Sequence, residues 1–229
     1  MNNKSLRFEN FDVSLVSLYR KSMPSFFEYN CDINKNAYLN WRSGFLYSQR
    51  NQFTEIGEAY FDTSYNLLLQ CLDDNNDKKA DLWIFPIMFN IVHGIEVYLK
   101  AINVSCNITL GKEDAKIEGN HNIKQLCEKA LRLLEEYKNR FNNQESINMF
   151  SSIRVIKNYI DNIYEKTDDM SFARYPVDKK KNSHFYLNTH DNVVINMEIL
   201  KEQTILIYHL LHYIYEMLEM HIDSNNDCY

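Results

Sequence analysis

Glycine and proline are scarce in this chain, with 5 glycines and 3 prolines among 229 residues. Average usage would place roughly 27 such residues in a chain of this length. An all-β sandwich or barrel needs a turn about every 8–12 residues, and these two residue types build many of its turns. The scarcity argues against that class. It argues equally against collagen-like, proline-rich or glycine/serine-rich disordered chains.

A disulfide framework is also missing. The five cysteines are irregularly spaced and none belongs to a C-x-x-C pair. An odd number of such cysteines predicts free thiols in a reducing compartment. The first ten residues are polar and do not resemble a signal peptide. Together these features predict a cytoplasmic protein.

The chain has no long apolar run without ionisable residues. Its most apolar stretch, 83–104, carries His93, Glu96 and Lys100. Each charge at the centre of a bilayer costs about 2.5–3.5 kcal/mol, so we expect no membrane partner. The net charge of −6 argues against a broad nucleic-acid coat, which needs many phosphate contacts. A local basic site remains compatible with that net charge.

The chain does show strong helical periodicity. Apolar residues recur at helical spacing in five long segments, 53–72, 80–104, 122–141, 144–166 and 196–221. A shorter helix is predicted over 11–21. Asn122 and Gln125 resemble a capping box, and Pro86 predicts that the regular part of the second long helix begins near it. The expected fold is an all-α bundle of about five to six helices with a long central helix.

One segment before the last helix breaks the periodicity. Residue 175 must be extended because Pro176 follows it. The apolar triplets 185–187 and 193–195 flank a polar turn and predict a small hairpin. The sequence thus predicts three parts: an N-terminal helix and irregular extension over 1–50, a helical bundle over 51–222, and a frayed tail over 223–229.

The predicted central helix carries a narrow polar stripe. Its members follow one another at spacings of 3, 3, 4 and 3 and therefore share one face: Asn90, His93, Glu96, Lys100 and Asn103. One interpretation is a solvated edge in which Glu96 and Lys100 pair for a few tenths of a kcal/mol. The other is a polar cleft or dimer interface lined by His93, Glu96 and Lys100.

The loop around Pro176 is a second candidate site. A rigid proline turn can direct the Arg174 guanidinium toward a phosphate or carboxylate, and the lysines behind it attract anions. Alternatively, Arg174 pairs with a carboxylate of the protein and the lysines form a solvated loop. The candidate binding residues are Tyr175, Asp178, Lys179, Lys180, Lys181 and His184.

The last helix offers a third arrangement on one face, formed by His209, His212, Glu216 and Glu219. A carboxylate-bridged metal site is geometrically feasible there, but the E-x-x-H order of di-iron bundles is absent. The polar face of an ordinary amphipathic helix is the simpler interpretation. We therefore predict no metal ligands and no cofactor. The phosphate-loop, dinucleotide, zinc-protease and nucleophile-elbow motifs are absent as well.

Three segments together resemble the HEPN superfamily of prokaryotic helical domains found in toxins, phage defence and RNA cleavage. Residues 93–102 read HGIEVYLKAI, residues 119–126 read GNHNIKQL and residues 172–176 read FARYP. The resemblance extends over about 53–220 and implies an all-α fold and a homodimer. Nucleases of that family use an R-x(4–6)-H motif whose residues meet across the dimer. None of the eight arginines here has a histidine at that distance.

The resemblance implies an RNA-directed function, as a metal-independent ribonuclease or a defence or toxin component. His93 or His121 would act as the base on a ribose 2′-OH, and Arg174 or Lys100 would stabilise the phosphorane charge. The candidate catalytic residues are His93, Glu96, Lys100, His121 and Arg174. The alternative is a non-catalytic HEPN-like module that dimerises, or that binds a nucleotide or a partner protein such as an antitoxin.

Overall fold

The computed structural model describes residues 23, 25–28, 30–39, 48–112, 116–168, 170–178 and 180–226. The chain divides into two compact units, 1–44 and 45–229. The described part of the first unit contains a short 3-10 turn, Ile33–Lys35, which the Asp32 side chain caps by accepting from the Asn34 backbone N–H. The predicted helix over 11–21 lies outside the described residues.

Helices dominate the described part of the second unit. In chain order they are α1 (Gln49–Asp73), α2 (Ala80–Thr109), α3 (Ile123–Phe141), α4 (Gln144–Tyr164) and α5 (Met197–Asn226). The described residues contain no β-strand, only one isolated bridge. The predicted all-α bundle is thereby confirmed. The Asn122 side chain caps α3 by accepting from the Gln125 backbone N–H, which explains why α3 begins where the sequence predicts.

Helix α2 is the centre of the bundle and contacts α1, α3 and α5. The side chains of Ile91, Ile95 and Ile102 have no exposed surface. The helix begins at Ala80, so the prediction that its regular part starts near Pro86 is wrong. It also runs past the predicted end to Thr109, because its last turns are buried along with the rest. Packing on three sides outweighs the local effect of the proline.

The composition of α2 bears on the membrane question. Among the described residues, α2 is the one helix long and apolar enough to cross a membrane, and 56% of its most apolar window is buried inside the bundle. The core helix of a soluble protein has the same properties. This burial is compatible with a soluble protein, and the cytoplasmic location stays a prediction.

The cysteines of the described residues are all free thiols. Cys31 is exposed, whereas Cys71, Cys106 and Cys127 are buried in the bundle. Burial raises the pKa of the Cys127 thiol to about 12. Such thiols stay protonated and serve as small apolar core residues.

Two glycines allow α1 and α2 to pack closely. A Cβ on Gly57 would lie 2.6 Å from a ring carbon of Tyr98, and a Cβ on Gly94 would lie 2.9 Å from the ring of Phe61. The Tyr98 ring has no exposed surface, so it has little room to move. The crossing therefore depends on the absence of side chains at these two positions.

We expect Gly57→Ala to lower the free energy of unfolding by about 1–2 kcal/mol, because overpacking at the crossing outweighs the better helix propensity of alanine. Urea denaturation followed by circular dichroism measures this change. Gly119→Ala is the control, because a Cβ there meets no atom within 4 Å. If the two variants were equally stable, the helix crossing would not depend on glycine at position 57.

A partly buried ion pair joins three helices near the end of the bundle. The Arg50 guanidinium of α1 donates to both carboxylate oxygens of Glu219 on α5, at 2.9 and 3.0 Å. The Ser105 hydroxyl of α2 donates to the same carboxylate at 2.6 Å. Both charged side chains are less than one-fifth exposed. We refer to this group, Arg50, Ser105 and Glu219, as the three-helix clamp.

The segment between α4 and α5 contains two 3-10 turns, Met170–Ala173 and Phe185–Leu187. The predicted hairpin between 185–187 and 193–195 is wrong, since the first triplet forms one of these turns and the second has no regular structure. An isolated antiparallel bridge joins Val177 to Ser183 instead. It closes there because the Asp178 carboxylate accepts from the backbone N–H groups of residues 180 and 182.

Candidate functional site

Glu96, in the middle of α2, gathers three basic side chains around one buried carboxylate. Its Oε1 accepts from Lys100 Nζ at 2.9 Å and lies 2.9 Å from His121 Nδ1. Its Oε2 lies 3.5 Å from His93 Nδ1. Glu96 and Lys100 are only 7% and 6% exposed. We refer to this group, His93, Glu96, Lys100 and His121, as the Glu96 cluster.

Two elements bring the Glu96 cluster together. His93 and Lys100 lie three residues before and four residues after Glu96, so one helix face presents all three. His121 comes from the segment that enters α3. Its neighbour Asn122 is fixed there, because the Asn122 backbone N–H donates to Asn120 Oδ1 while the Asn122 side chain caps α3. The cap thus holds His121 beside α2.

The Glu96 carboxylate is charged. Burial by itself raises the pKa of Glu96, but hydrogen bonds from His93, Lys100 and His121 outweigh it and lower this pKa to about 2. The His121 side chain is 78% exposed. With Nδ1 donating to Glu96, the Nε2 nitrogen of His121 remains to exchange a proton with a ligand.

The burial of the stripe corrects the interpretation of a solvated edge. Glu96 and Lys100 form the i,i+4 pair that the sequence predicts, but they do so inside the protein rather than on its surface. Asn103 is also buried, and its side-chain amide donates to the Leu126 carbonyl of α3 at 3.1 Å. From Glu96 to Asn103 the polar stripe therefore lies against neighbouring parts of the bundle, whereas Asn90 and His93 are partly exposed.

Aromatic rings extend the site from His93 to Arg174. The His93 ring stacks on Phe89 with centroids 5.7 Å apart, and the edge of Tyr60 meets it at 4.7 Å. The Arg174 guanidinium carbon lies 5.7 Å from the centroid of the same Phe89 ring and 5.6 Å from that of Tyr175. His93 and Arg174 therefore contact the same aromatic side chain.

Arg174 is exposed, and within the described part of the chain it forms no ion pair with a carboxylate. Among the described residues, no carboxylate therefore plays the part that the alternative interpretation assigned to a partner of Arg174. The 3-10 turn Met170–Ala173, which packs against α2, places the guanidinium over Phe89. An oriented guanidinium with unused N–H groups favours an anionic ligand.

Among the described residues, the other candidate binding residues form no hydrogen bond or ion pair with the Glu96 cluster. The Asp178 carboxylate closes its own turn, and Lys180 and Lys181 are exposed. His184 is buried, with its Nε2 3.5 Å from the Ser171 hydroxyl. Lys179 lies outside the described residues. Tyr175 is the member of this set that lies beside Arg174, and its side chain is exposed.

The predicted absence of a metal site stays a prediction, although the described residues contain no group of three or more potential ligands. On the last helix, the Glu219 carboxylate belongs to the three-helix clamp. His212 stacks on Tyr208, with centroids 5.7 Å apart.

Sequence reasoning missed Phe89 and Tyr60 as parts of the site, since both fit the apolar pattern of core helices. Phe89 carried a usable signal. It precedes His93 by four residues, so it lies one turn away on the same helix face. The position of Tyr60 depends on how α1 crosses α2, which no local pattern encodes.

Comparison of the chain with protein-family models, with curated proteins and with solved structures found no match. The resemblance to the HEPN superfamily therefore rests on its three sequence segments. A proposal about function therefore has to be argued from the side chains of the site itself.

Proposed function

We propose that this protein acts on RNA as a metal-independent endoribonuclease, in the role of a defence or toxin component. One observation carries the proposal: exposed His121 is oriented through Nδ1 by the buried, charged Glu96. A histidine held by a carboxylate is the usual arrangement of a general base. Arg174, with no carboxylate partner in the described residues, supplies the anion-binding group and contacts the same Phe89 ring as His93.

The proposed reaction begins with proton transfer. His121 Nε2 takes the proton of a ribose 2′-OH, and the 2′-oxygen attacks the neighbouring phosphorus. The bond from phosphorus to the 5′-oxygen breaks, and that oxygen leaves with a proton from His93. The products are a 2′,3′-cyclic phosphate and a 5′-hydroxyl. Each histidine has changed its protonation state once, and proton exchange with water restores both.

The two candidate cations take different roles in this mechanism. Lys100 is buried and its ammonium donates to Glu96, so it balances the charge of the carboxylate rather than contacting RNA. Arg174 is exposed and oriented by Phe89 and Tyr175. It is therefore the group that stabilises the negative charge of the phosphorane.

A homodimer remains part of the proposal because of the HEPN resemblance. His93, Glu96 and His121 nevertheless meet within one chain. The proton-transfer groups in this mechanism therefore require no residue from a second copy.

The proposal is tested by incubating the purified protein with total RNA or tRNA in the presence of EDTA. We expect cleavage by the wild type, and a rate about 10²-fold lower for Arg174→Ala, because one charge-stabilising donor is lost from the transition state. Arg154→Ala, at an exposed position of α4, is the control and should cleave as the wild type does. The proposal fails if wild type and Arg174→Ala behave alike and neither cleaves.

The second candidate function is a non-catalytic, partner-binding HEPN-like module. The missing R-x(4–6)-H motif favours it. In that case the wild type leaves RNA intact and co-purifies from its native host with a defined protein such as an antitoxin. A chain that stays monomeric and partnerless counts against this alternative.

A further inference from the structure

A cavity of about 540 Å³ lies between the first turns of α2 and the segment before α5. Its volume is in the range of small-molecule sites. Apolar and aromatic side chains dominate its lining, among them Ile84, Phe85, Met88, Phe172, Phe185 and Tyr186. None of these residues takes part in the proton transfers proposed above.

The aromatic side chains of the cavity pack against one another. Phe85 and Tyr186 have ring centroids 5.5 Å apart, and Phe172 and Phe185 have centroids 5.6 Å apart. The rings of Phe185 and Tyr186 are nearly perpendicular, at 89°. Ring faces and edges in such a space suit a flat heteroaromatic ligand, because each supplies stacking or edge contacts.

The cavity continues the candidate site along one face of α2. Phe85, Phe89 and His93 follow one another at intervals of four residues, so each lies about 6 Å along the helix axis from the last and on nearly the same face. Phe172 lines the cavity and precedes Arg174 by two residues. Arg174 is not itself a lining residue, but the chain segment that carries it continues directly from the cavity wall at Phe172.

The cavity and the neighbouring Arg174 carry charges of opposite sign. Asp81 is the one charged residue among the described residues that line the cavity, and its carboxylate forms no ion pair in the described part of the chain. A free carboxylate accepts hydrogen bonds from ligand N–H groups. The surface thus combines a cation for a phosphate, rings for a planar group and an acceptor for N–H donors.

From this arrangement we infer that the cavity binds an unpaired nucleobase whose phosphate lies at Arg174, with guanine as the preferred base. Guanine presents adjacent N1–H and N2–H donors, which a carboxylate can accept together. The choice of RNA as the source of the base rests on the proposed function. The cavity would then select the nucleotide beside the scissile phosphate.

Isothermal titration calorimetry of the full chain with GMP, AMP, CMP, UMP and ribose 5-phosphate tests this inference. Ribose 5-phosphate is the matched ligand that carries the phosphate without a base. We expect GMP to bind about tenfold tighter than ribose 5-phosphate, the factor that stacking one base provides. Arg174→Ala should weaken both ligands, whereas Tyr186→Leu should weaken GMP alone.

Asp81→Asn gives an independent readout, because the exposed Asp81 side chain is not needed for the core. We expect this variant to lose the preference for GMP over AMP while it keeps its affinity for ribose 5-phosphate. Equal binding of GMP and ribose 5-phosphate by the wild type would overturn the inference, even if RNA is cleaved. Base-dependent binding without RNA cleavage would support the cavity and contradict the ribonuclease.

Discussion

Replacing His121 with alanine is expected to lower the rate constant of RNA cleavage by about 10²–10⁴-fold, the usual contribution of a positioned general base. The reason is that the variant loses the exposed imidazole whose Nδ1 is held by Glu96, and with it the proposed base. Single-turnover cleavage of a labelled oligonucleotide in EDTA measures the effect.

His190→Ala is the matched control for this experiment, because His190 is an exposed histidine outside the Glu96 cluster. Its rate constant should equal that of the wild type. Because the His121 side chain is 78% exposed, the alanine variant should also remain folded, which thermal unfolding verifies. An active His121→Ala variant would assign the base to another group and contradict the mechanism.

Replacing Glu96 with alanine is expected to lower the free energy of unfolding by about 3–5 kcal/mol, whether or not the protein cleaves RNA. The Lys100 side chain is 6% exposed and its ammonium donates to Glu96. Removal of the carboxylate leaves a buried positive charge without its partner, and this loss costs far more than the pair itself contributes. Urea denaturation at neutral pH measures the change.

Two further variants test whether the loss of stability comes from the unpaired buried charge of Lys100 rather than from the loss of an ion pair as such. Glu96→Leu combined with Lys100→Leu removes both charges, and we expect it to recover most of the lost stability. Lys157 and Asp161 on α4 form an i,i+4 pair of which each side chain is about one-third exposed. Asp161→Ala should therefore change stability by less than about 1 kcal/mol. If Asp161→Ala and Glu96→Ala lowered the free energy of unfolding equally, burial of the Glu96–Lys100 pair would not be the reason for the predicted loss.

The same carboxylate should shape the acid stability of the protein. The pKa of Glu96 is about 2 in the folded protein, against an ordinary value of 4.5. Its contribution is therefore fully present above about pH 4.5 and is lost as the pH falls toward 2. Acid denaturation of the double leucine variant should lack this component of the pH dependence.

The fold was largely predictable because long apolar periodicity and helix caps are local signals. The Asn122 side chain caps α3 by accepting from the backbone N–H three residues later, and the sequence predicts this cap. The start of α2 was not predictable in the same way. A proline argues for a helix end locally, whereas packing of α2 against three helices keeps it helical on both sides of Pro86. Short apolar triplets such as 185–187 fit several backbone conformations.

The candidate site was predictable only in part for a similar reason. Spacing placed His93, Glu96 and Lys100 on one face, but not whether that face is buried. The contact of His121 with Glu96 depends on how the chain returns from the end of α2 to α3. Likewise, the position of Arg174 over Phe89 depends on how a 3-10 turn packs against α2. Such long-range contacts leave no periodic signal in the sequence.

The three-helix clamp has a consequence for synthesis of the chain. Arg50 and Glu219 lie 169 residues apart, and α5 covers part of α2. Until the last 30-residue helix leaves the ribosome, the side of α2 that α5 covers has no helix packed on it. The nascent chain therefore presents this apolar surface of α2 until α5 is made, and such transiently exposed surface is prone to aggregation.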